Sequence, residues 1–365
     1  MSVQTDLQDV TSATPEPLLE TKGLSKWFPI RKGMMGRVVG NVKAVDGVDL
    51  TIGAGQTVGL VGESGCGKST LGRCILRAYE PTAGEILYRH ADGNVVDLAP
   101  MSEKELKPYR KEVRMVFQDP FSSLNPRLTL LQIVGEPLRV NHHVPTSEIE
   151  DRVAELLRKV GLRPEYLHRY PNAFSGGERQ RFGIARALAL DPRLVVADEA
   201  VSALDVSVRA QILNLMKDLQ DAEDLTYLFI SHDLGMVEYM ADQVVVMYVG
   251  KVVEDGPTDE LYSRPLHPYT EALLSAVPDP DPNAAKRPER IVLRGEVADP
   301  SHVPSGCPFH PRCFYAQDRC KTEVPELREV LPGRRSACHF AEDLALRGID
   351  ELTEGIPLEA TNDHQ

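Results

Sequence analysis

A chain of 365 residues is too long for one small domain, and 42% hydrophobic with 26% charged residues is the balance of a globular protein. No apolar run reaches the ~18 residues needed to cross a bilayer, and Met1 to Glu20 holds no Lys, Arg or apolar core, so no membrane span or secretory signal is expected and the chain is placed in the cytoplasm. The net charge of −13 sits mostly at the ends, with four acids and no base in residues 1–20 and seven acids beside Arg347 in residues 341–365, so the body lacks the basic footprint of a nucleic-acid binder.

In chain order, residues 1–18 read as a disordered acidic N-terminus. From Leu19 the pattern turns β-like through Leu24-Ser25-Lys26-Trp27-Phe28, passes a Gly- and Arg/Lys-containing insertion from Arg31 to Gly40, and resumes as alternation over Val42–Ile52. Gln56–Val61 reads as a buried strand, and Leu71–Ala78 as a helix from its apolar spacing. Between them stands Gly62-Glu63-Ser64-Gly65-Cys66-Gly67-Lys68-Ser69-Thr70, which fits the phosphate-binding pattern G-x-x-x-x-G-K-[ST] in the strand–loop–helix setting that the pattern needs. Glycines let backbone N–H groups wrap phosphates without Cβ clashes, and the helix N-terminus adds partial positive charge. Lys68 is expected to reach the β- and γ-phosphates, and Ser69 to hold Mg²⁺.

Further on, Val113–Phe117 reads as a strand ending at Gln118, followed by the Pro/Ser/Asn loop Phe121–Pro126 and by helices over residues 128–168, with Leu130, Ile133 and Val134 on one apolar face and Val153, Leu156, Leu157 and Val160 on another. Phe174-Ser175-Gly176-Gly177-Glu178 then opens a helix over Glu178–Leu190, a second loop-to-helix anion site. Leu194–Ala197 is a continuous apolar strand that delivers Asp198 and Glu199 at its end. Ser202-Ala203-Leu204-Asp205 leads into an amphipathic helix over 207–222, and the buried strand Thr226–Ser231 delivers His232. Gln243–Val249 and Lys251–Glu254 are the last β segments of the body. Prolines then punctuate a linker around a short helix, Tyr269–Ala276, before a stretch with few long apolar segments and four of the six cysteines.

The order of phosphate loop, Gln118, Phe174–Glu178, Leu194–Glu199, Ser202–Asp205 and His232 resembles the ATP-binding domain of an ABC transporter over about residues 19–260. The resemblance implies an α/β P-loop ATPase with a mixed sheet and a helical subdomain at about residues 120–190. It also implies two such domains paired head to tail. ATP then lies between Gly62, Ser64, Gly65, Cys66, Gly67, Lys68, Ser69 and Thr70 of one chain and Ser175, Gly176 and Gly177 of the other. Ser69, Gln118 and Asp198 are the implied Mg²⁺ residues, Glu199 the general base, His232 and Gln118 its γ-phosphate and water partners, and Asp205 a dimer-seam residue. Phe28 is the chosen adenine-stacking aromatic, with Trp27 its competitor. Phe174 and Glu178 depart from the commoner Leu and Gln of the family's LSGGQ signature, while Ser175-Gly176-Gly177 is intact, so active hydrolysis is expected.

Phe117–Pro126, Ala197–Ser207, Pro265–Thr270, Cys307–Cys313 and Ala337–His339 also resemble the peptide-importer branch of that family. That implies a C-terminal extension over residues 261–340, followed by an acidic tail at 341–365. The spacing C-x5-C-x6-C-x17-C of Cys307, Cys313, Cys320 and Cys338 leaves zinc and a [4Fe–4S] cluster open, and the branch resemblance implies the cluster. The partners it implies are a second ATPase subunit, a paralogue before an identical copy, two transmembrane permease subunits and an extracytoplasmic solute-binding protein, with the chain peripheral on the cytoplasmic face of the membrane. Peptide is the expected solute, with nickel, glutathione and oligosaccharide open. The rival class, a non-transport ABC ATPase of DNA repair or translation, fits less well a chain with one ATPase domain, no sustained heptads and no basic patch.

Overall fold

The computed structural model describes residues 16–33, 36–119, 124–141, 144–277 and 290–354. Residues 1–15 and 355–365 of the expected acidic ends, residues 120–123 of the Pro/Ser/Asn loop and the linker prolines Pro278, Pro280, Pro282 and Pro288 lie outside the described residues. Pro17 and Leu18, expected as disordered, stand in a strand, and residues 341–354 of the expected tail pack on the body with Leu346 and Leu352 buried.

The strands are β1 (Pro17–Lys32), β2 (Arg37–Gly53), β3 (Thr57–Val61), β4 (Ala83–Arg89), β5 (Val95–Asp97), β6 (Val113–Val116), β7 (Leu194–Asp198), β8 (Thr226–Ile230), β9 (Gln243–Tyr248), β10 (Lys251–Pro257), β11 (Arg328–Leu331) and β12 (Arg334–Ser336). The helices are α1 (Lys68–Ile75), α2 (Glu103–Leu106), α3 (Tyr109–Glu112), α4 (Leu130–Val140), α5 (Ile149–Lys159), α6 (Gly176–Leu188), α7 (Val206–Glu223), α8 (Leu234–Met240), α9 (Thr258–Ser263), α10 (Pro268–Leu274), α11 (Asp318–Thr322) and α12 (Ile349–Glu354).

β1, β2, β4 and β5 form an antiparallel sheet in the order β2-β1-β4-β5. The second sheet has the order β11-β12-β10-β9-β3-β8-β7-β6, and its run β9-β3-β8-β7-β6 is parallel. The central strands β3, β7 and β8 are short and buried at every position, as crossover helices on both sides require, while β6 at the edge is half-buried at Arg114 and Met115. Along β8, Leu228 and Ile230 join the core beneath the antiparallel sheet and α1, while Tyr227 and Phe229 join the core beneath the helices. Along β7, Leu194 and Val196 face the first core and Val195 and Ala197 the second. The helical core gathers the apolar faces expected for residues 128–168: Leu130, Ile133 and Val134 from α4, and Val153, Leu156 and Leu157 from α5.

Because β3, β6, β7 and β8 run in parallel, their C-terminal ends share one edge of the sheet. That is where open α/β sheets bind ligands. Val61 leads into the glycine loop, Val116 towards Gln118, Asp198 into Glu199, and Ile230 towards His232. The topology therefore collects four separated stretches of sequence at one place.

The cysteine-bearing segment attaches to the body through this same sheet. Glu254 and Asp255 of β10 pair with Ser336 and Arg335 of β12, and β11 closes a hairpin on β12. Phe309 is 1% exposed and packs against Tyr248 and Tyr269 at ring-centroid distances of 5.3 Å each. Burying such a ring contributes about 1.5–3 kcal/mol.

Candidate functional site

The phosphate loop is shaped by backbone geometry before any side chain acts. Gly67 stands at φ +111°, and a Cβ there would lie 2.1 Å from the Ala44 carbonyl oxygen of β2. Only glycine lets the loop lie this close to β2. Lys68, at the start of α1, is 5% exposed, and its ammonium donates to the carbonyls of Gly62 at 2.7 Å and Glu63 at 3.0 Å. A cation is thus held inside the loop, over the space the glycines leave.

Beside it, the Ser69 hydroxyl donates to Asp198 Oδ1 at 2.7 Å. Burial is the main influence on Asp198 and raises its pKa, against the lowering effect of Ser69. A buried carboxylate with a hydroxyl against it, at the end of a phosphate loop, is an oxygen-only donor pair. It fits Mg²⁺, which takes one or two protein oxygens and completes its shell with phosphates and water.

The next residue carries strain. Glu199 stands at φ +48°, a left-handed conformation costing about 1–3 kcal/mol for a non-glycine residue. Its backbone N–H donates to the Ile230 carbonyl at 2.9 Å, tying the end of β7 to the end of β8. The carboxylate then meets two of the expected partners. Gln118 Nε2 donates to Oε2 at 2.7 Å, and His232 Nδ1 lies 3.3 Å from Oε1. Gln118 and His232 therefore flank one carboxylate, Gln118 by a hydrogen bond and His232 as an ion-pair neighbour, although 81 residues separate Gln118 from Glu199.

The Ser-Gly-Gly loop is built separately, at the start of α6. Ser175 caps α6: its hydroxyl accepts the Glu178 N–H at 3.4 Å, and Glu178 Oε2 accepts the Ser175 N–H at 3.0 Å and its O–H at 2.9 Å. Glu178 thus completes a capping box, a role that Gln would fill equally, so the structure does not explain the departure from Gln. Phe174 accounts for itself by packing, 4.8 Å from the Phe182 ring and 5.0 Å from Tyr166. A Cβ on Gly177 would lie 2.4 Å from Val208 Cγ1, so the start of α6 rests directly on the first turn of α7. Asp205 caps that turn by accepting the Val208 N–H at 3.2 Å. The two aromatic candidates also differ. Both are half-buried with a lysine over the ring, but the Trp27 indole N–H is held by Asp46 at 3.2 Å, whereas Phe28 is edge-on to Tyr79 at 5.7 Å.

Residues 45–202 match the ABC transporter family, and residues 253–320 match the oligopeptide/dipeptide transporter C-terminal region. The oligopeptide transport ATP-binding protein AppF of Bacillus subtilis is 52% identical, over 91% of this chain and 99% of its own length. The chain belongs to the ABC transporter ATP-binding proteins. The dipeptide transport ATP-binding protein DppF of Haemophilus influenzae is 50% identical over 88% of this chain and 96% of its own. Among solved structures, the dimeric post-hydrolysis state of the ATP-binding cassette MJ0796, bound to ADP and phosphate, is 28% identical, with a TM-score of 0.57 over 66% of this chain and 98% of that one. This ABC ATPase acts on ATP with Mg²⁺, and its family couples hydrolysis to transport through a second ATPase domain and transmembrane permeases. Among its described residues no helix is long and apolar enough to cross a membrane.

The expected four-cysteine metal centre needs correction. Cys307, Cys313, Cys320 and Cys338 do line one cavity, with Phe309 and Phe340, but its volume is about 20 Å³. That is space for about one water. Among the described residues no group of three or more His, Cys, Asp or Glu is placed to hold a metal ion. The iron–sulfur assignment is withdrawn, and zinc gains no support. Burial pushes the Cys313 thiol up to about 12 and the Cys338 thiol to about 11, so both are protonated at neutral pH. The segment is held by packing on the body, with no metal needed to explain its order. Sheet pairing with β10 and the packing of Phe309 on Tyr248 and Tyr269 supply its core, and the cysteines serve as small apolar lining.

Two residues that the sequence reading left without a role reach the phosphate loop from this segment. Arg312 donates to both carboxylate oxygens of Glu63, at 2.6 and 3.0 Å, and the Tyr269 hydroxyl accepts the Glu63 N–H at 2.8 Å. Both lie in stretches that had signalled only the branch of the family.

Proposed function

We propose that this chain is the ATP-hydrolysing subunit that powers uptake of di- or oligopeptides through a membrane importer. The observation that carries the chemistry is the convergence of Lys68, Ser69–Asp198 and Gln118–Glu199–His232 on one sheet edge. The peptide assignment is supported by relatives named as oligopeptide and dipeptide transport proteins that align along nearly their whole length.

In this reading Lys68 and the loop N–H groups bind the β- and γ-phosphates. Ser69 and Asp198, with Gln118, hold Mg²⁺, which supplies charge neutralisation on the phosphates when bound. Glu199 takes a proton from the attacking water as its oxygen bonds to the γ-phosphorus. The bond from that phosphorus to the β-phosphate oxygen breaks, leaving ADP and inorganic phosphate. His232 contacts the γ-phosphate and keeps Glu199 in place, and Gln118 links the site to the loop that follows it. Phe28 stacks on adenine. Ser175, Gly176 and Gly177 cap the nucleotide held by a second ATPase subunit, a paralogue before an identical copy, with Asp205 at the seam.

The organisation that goes with this reading is an ATPase domain over 19–260 with its helical part at about 120–190, and an importer-type extension over 261–340. A cleft of about 870 Å³ beside Gln118, lined by Met115, Phe117, Pro137 and Val140, is the seat for a permease segment. The subunit sits on the cytoplasmic face of the membrane, and an extracytoplasmic binding protein delivers the solute. The test is uptake of a labelled tripeptide by cells deleted for this chain. Wild type restores uptake and Glu199→Gln does not; restoration by Glu199→Gln, or no peptide defect on deletion, removes the reading.

A further inference from the structure

Arg312 lies in a 3₁₀ turn, His310–Arg312, in the segment that extends the ATPase body, yet its side chain points back into the nucleotide site. Its side chain is 7% exposed, and both terminal nitrogens bond to the Glu63 carboxylate. The Arg312 guanidinium also lies 5.9 Å over the Tyr248 ring. Glu63 is the second residue of the phosphate loop, and its backbone is engaged on both sides. Its N–H donates to Tyr269, and its carbonyl accepts from the Lys68 ammonium. Tyr269 is fully buried on α10 and held by Phe309. One loop residue thus joins the phosphate-binding lysine to a segment more than 200 residues away.

The chemistry gives these contacts a purpose. A carboxylate in a loop built to receive a polyanion opposes binding unless its charge is cancelled. A paired carboxylate costs nothing further, and a bidentate arginine also fixes the orientation of the loop that carries it. The backbone N–H of residue 63, turned onto a phenol oxygen, is held away from the phosphate space.

We propose that Arg312 and Tyr269 are positioning residues for the phosphate loop: Arg312 cancels and orients Glu63, Tyr269 pins its backbone, and the C-terminal segment thereby sets the affinity for MgATP. The inference rests on reading residues 62–70 as the nucleotide site. It adds that this site is incomplete without the segment after residue 260. Neither residue touches the reacting atoms.

The test is titration of the full chain with a fluorescent ATP analogue, with thermal unfolding and circular dichroism in parallel. Arg312→Ala is expected to weaken binding about tenfold, the loss of one charge-assisted contact. The double variant Arg312→Ala/Glu63→Gln removes the uncancelled charge and is expected to return affinity to within about threefold of wild type. A double variant as weak as the single one shows a merely structural role and overturns the inference. Should Arg312→Ala fail to fold, Tyr269→Phe keeps the ring and loses only the acceptor. It is expected to weaken binding several-fold at nearly unchanged melting temperature, and wild-type affinity there overturns the inference. Lys68→Ala separates the two claims. If it abolishes binding while the Arg312 and Tyr269 variants bind normally, only the inference falls; if it binds as wild type, the nucleotide-site reading falls with it.

Discussion

His267 makes acid stability a test of how the extension is held. It is 1% exposed and forms the N-cap of α10, its Nδ1 accepting the Tyr269 N–H at 3.0 Å. That bond needs an unprotonated Nδ1, and burial holds the ring's pKa down to about 3, from an ordinary 6.5. Glu254 bonds the backbone N–H of His267 and not the ring. The folded pKa lies below the unfolded one, so the stabilising contribution is present above pH 6.5 and is lost as pH falls towards 3. One proton taken up only by the unfolded chain costs about 1.4 kcal/mol per pH unit, or about 2 kcal/mol between neutrality and pH 5. Urea unfolding at pH 7 and pH 5 measures this. His267→Asn retains an oxygen to accept the Tyr269 N–H and cannot titrate. The fall in unfolding free energy between the two pH values is expected to be about 2 kcal/mol smaller in the variant than in wild type. Equal falls in both proteins would refute the buried, neutral imidazole and its cap.

Three further outcomes follow from the site. Glu199→Gln is expected to cut ATP turnover about 10²–10⁴-fold while leaving MgATP binding intact; steady-state hydrolysis beside equilibrium binding reads both, and turnover within threefold of wild type sinks the general-base role. Gly67→Ala places a Cβ 2.1 Å from the Ala44 oxygen at φ +111°, so nucleotide binding should be lost and the melting point lowered, a strain of about 1–3 kcal/mol; a variant that binds normally contradicts the close approach to β2. Phe28→Ala should weaken ATP about tenfold, at the level of one lost base–aromatic stack, without affecting inorganic tripolyphosphate. Trp27→Ala, which breaks the Asp46 contact, should leave the ATP-to-tripolyphosphate affinity ratio unchanged, and the reverse pattern assigns the stacking role to Trp27.

The legible part of this protein is the part whose demands are local. A glycine loop between a buried strand and a helix, an apolar run ending in Asp198-Glu199, and a capped Ser-Gly-Gly turn each declare themselves because backbone geometry within a few residues limits which side chains fit. The helical faces of Leu130, Ile133 and Val134 and of Val153, Leu156 and Leu157 were visible as periodicity for the same reason. The four cysteines misled because nearness in sequence was read as ligation. They do share a cavity, but one closed by Phe309 and Phe340 and matched to about one water.

The sequence by itself determined the fold family, the order of the catalytic stretches and the residue types each must hold, since hydrophobic period and loop geometry are written residue by residue. Only the tertiary structure decided which stretches meet. Parallel strands brought Gln118 and His232 onto Glu199, and the packing of Phe309 on Tyr248 and Tyr269 set the turn beside it so that Arg312 reached Glu63, 249 residues away. A bidentate arginine–carboxylate pair is specified by position in space, and nothing in the local spacing of either residue encodes its partner.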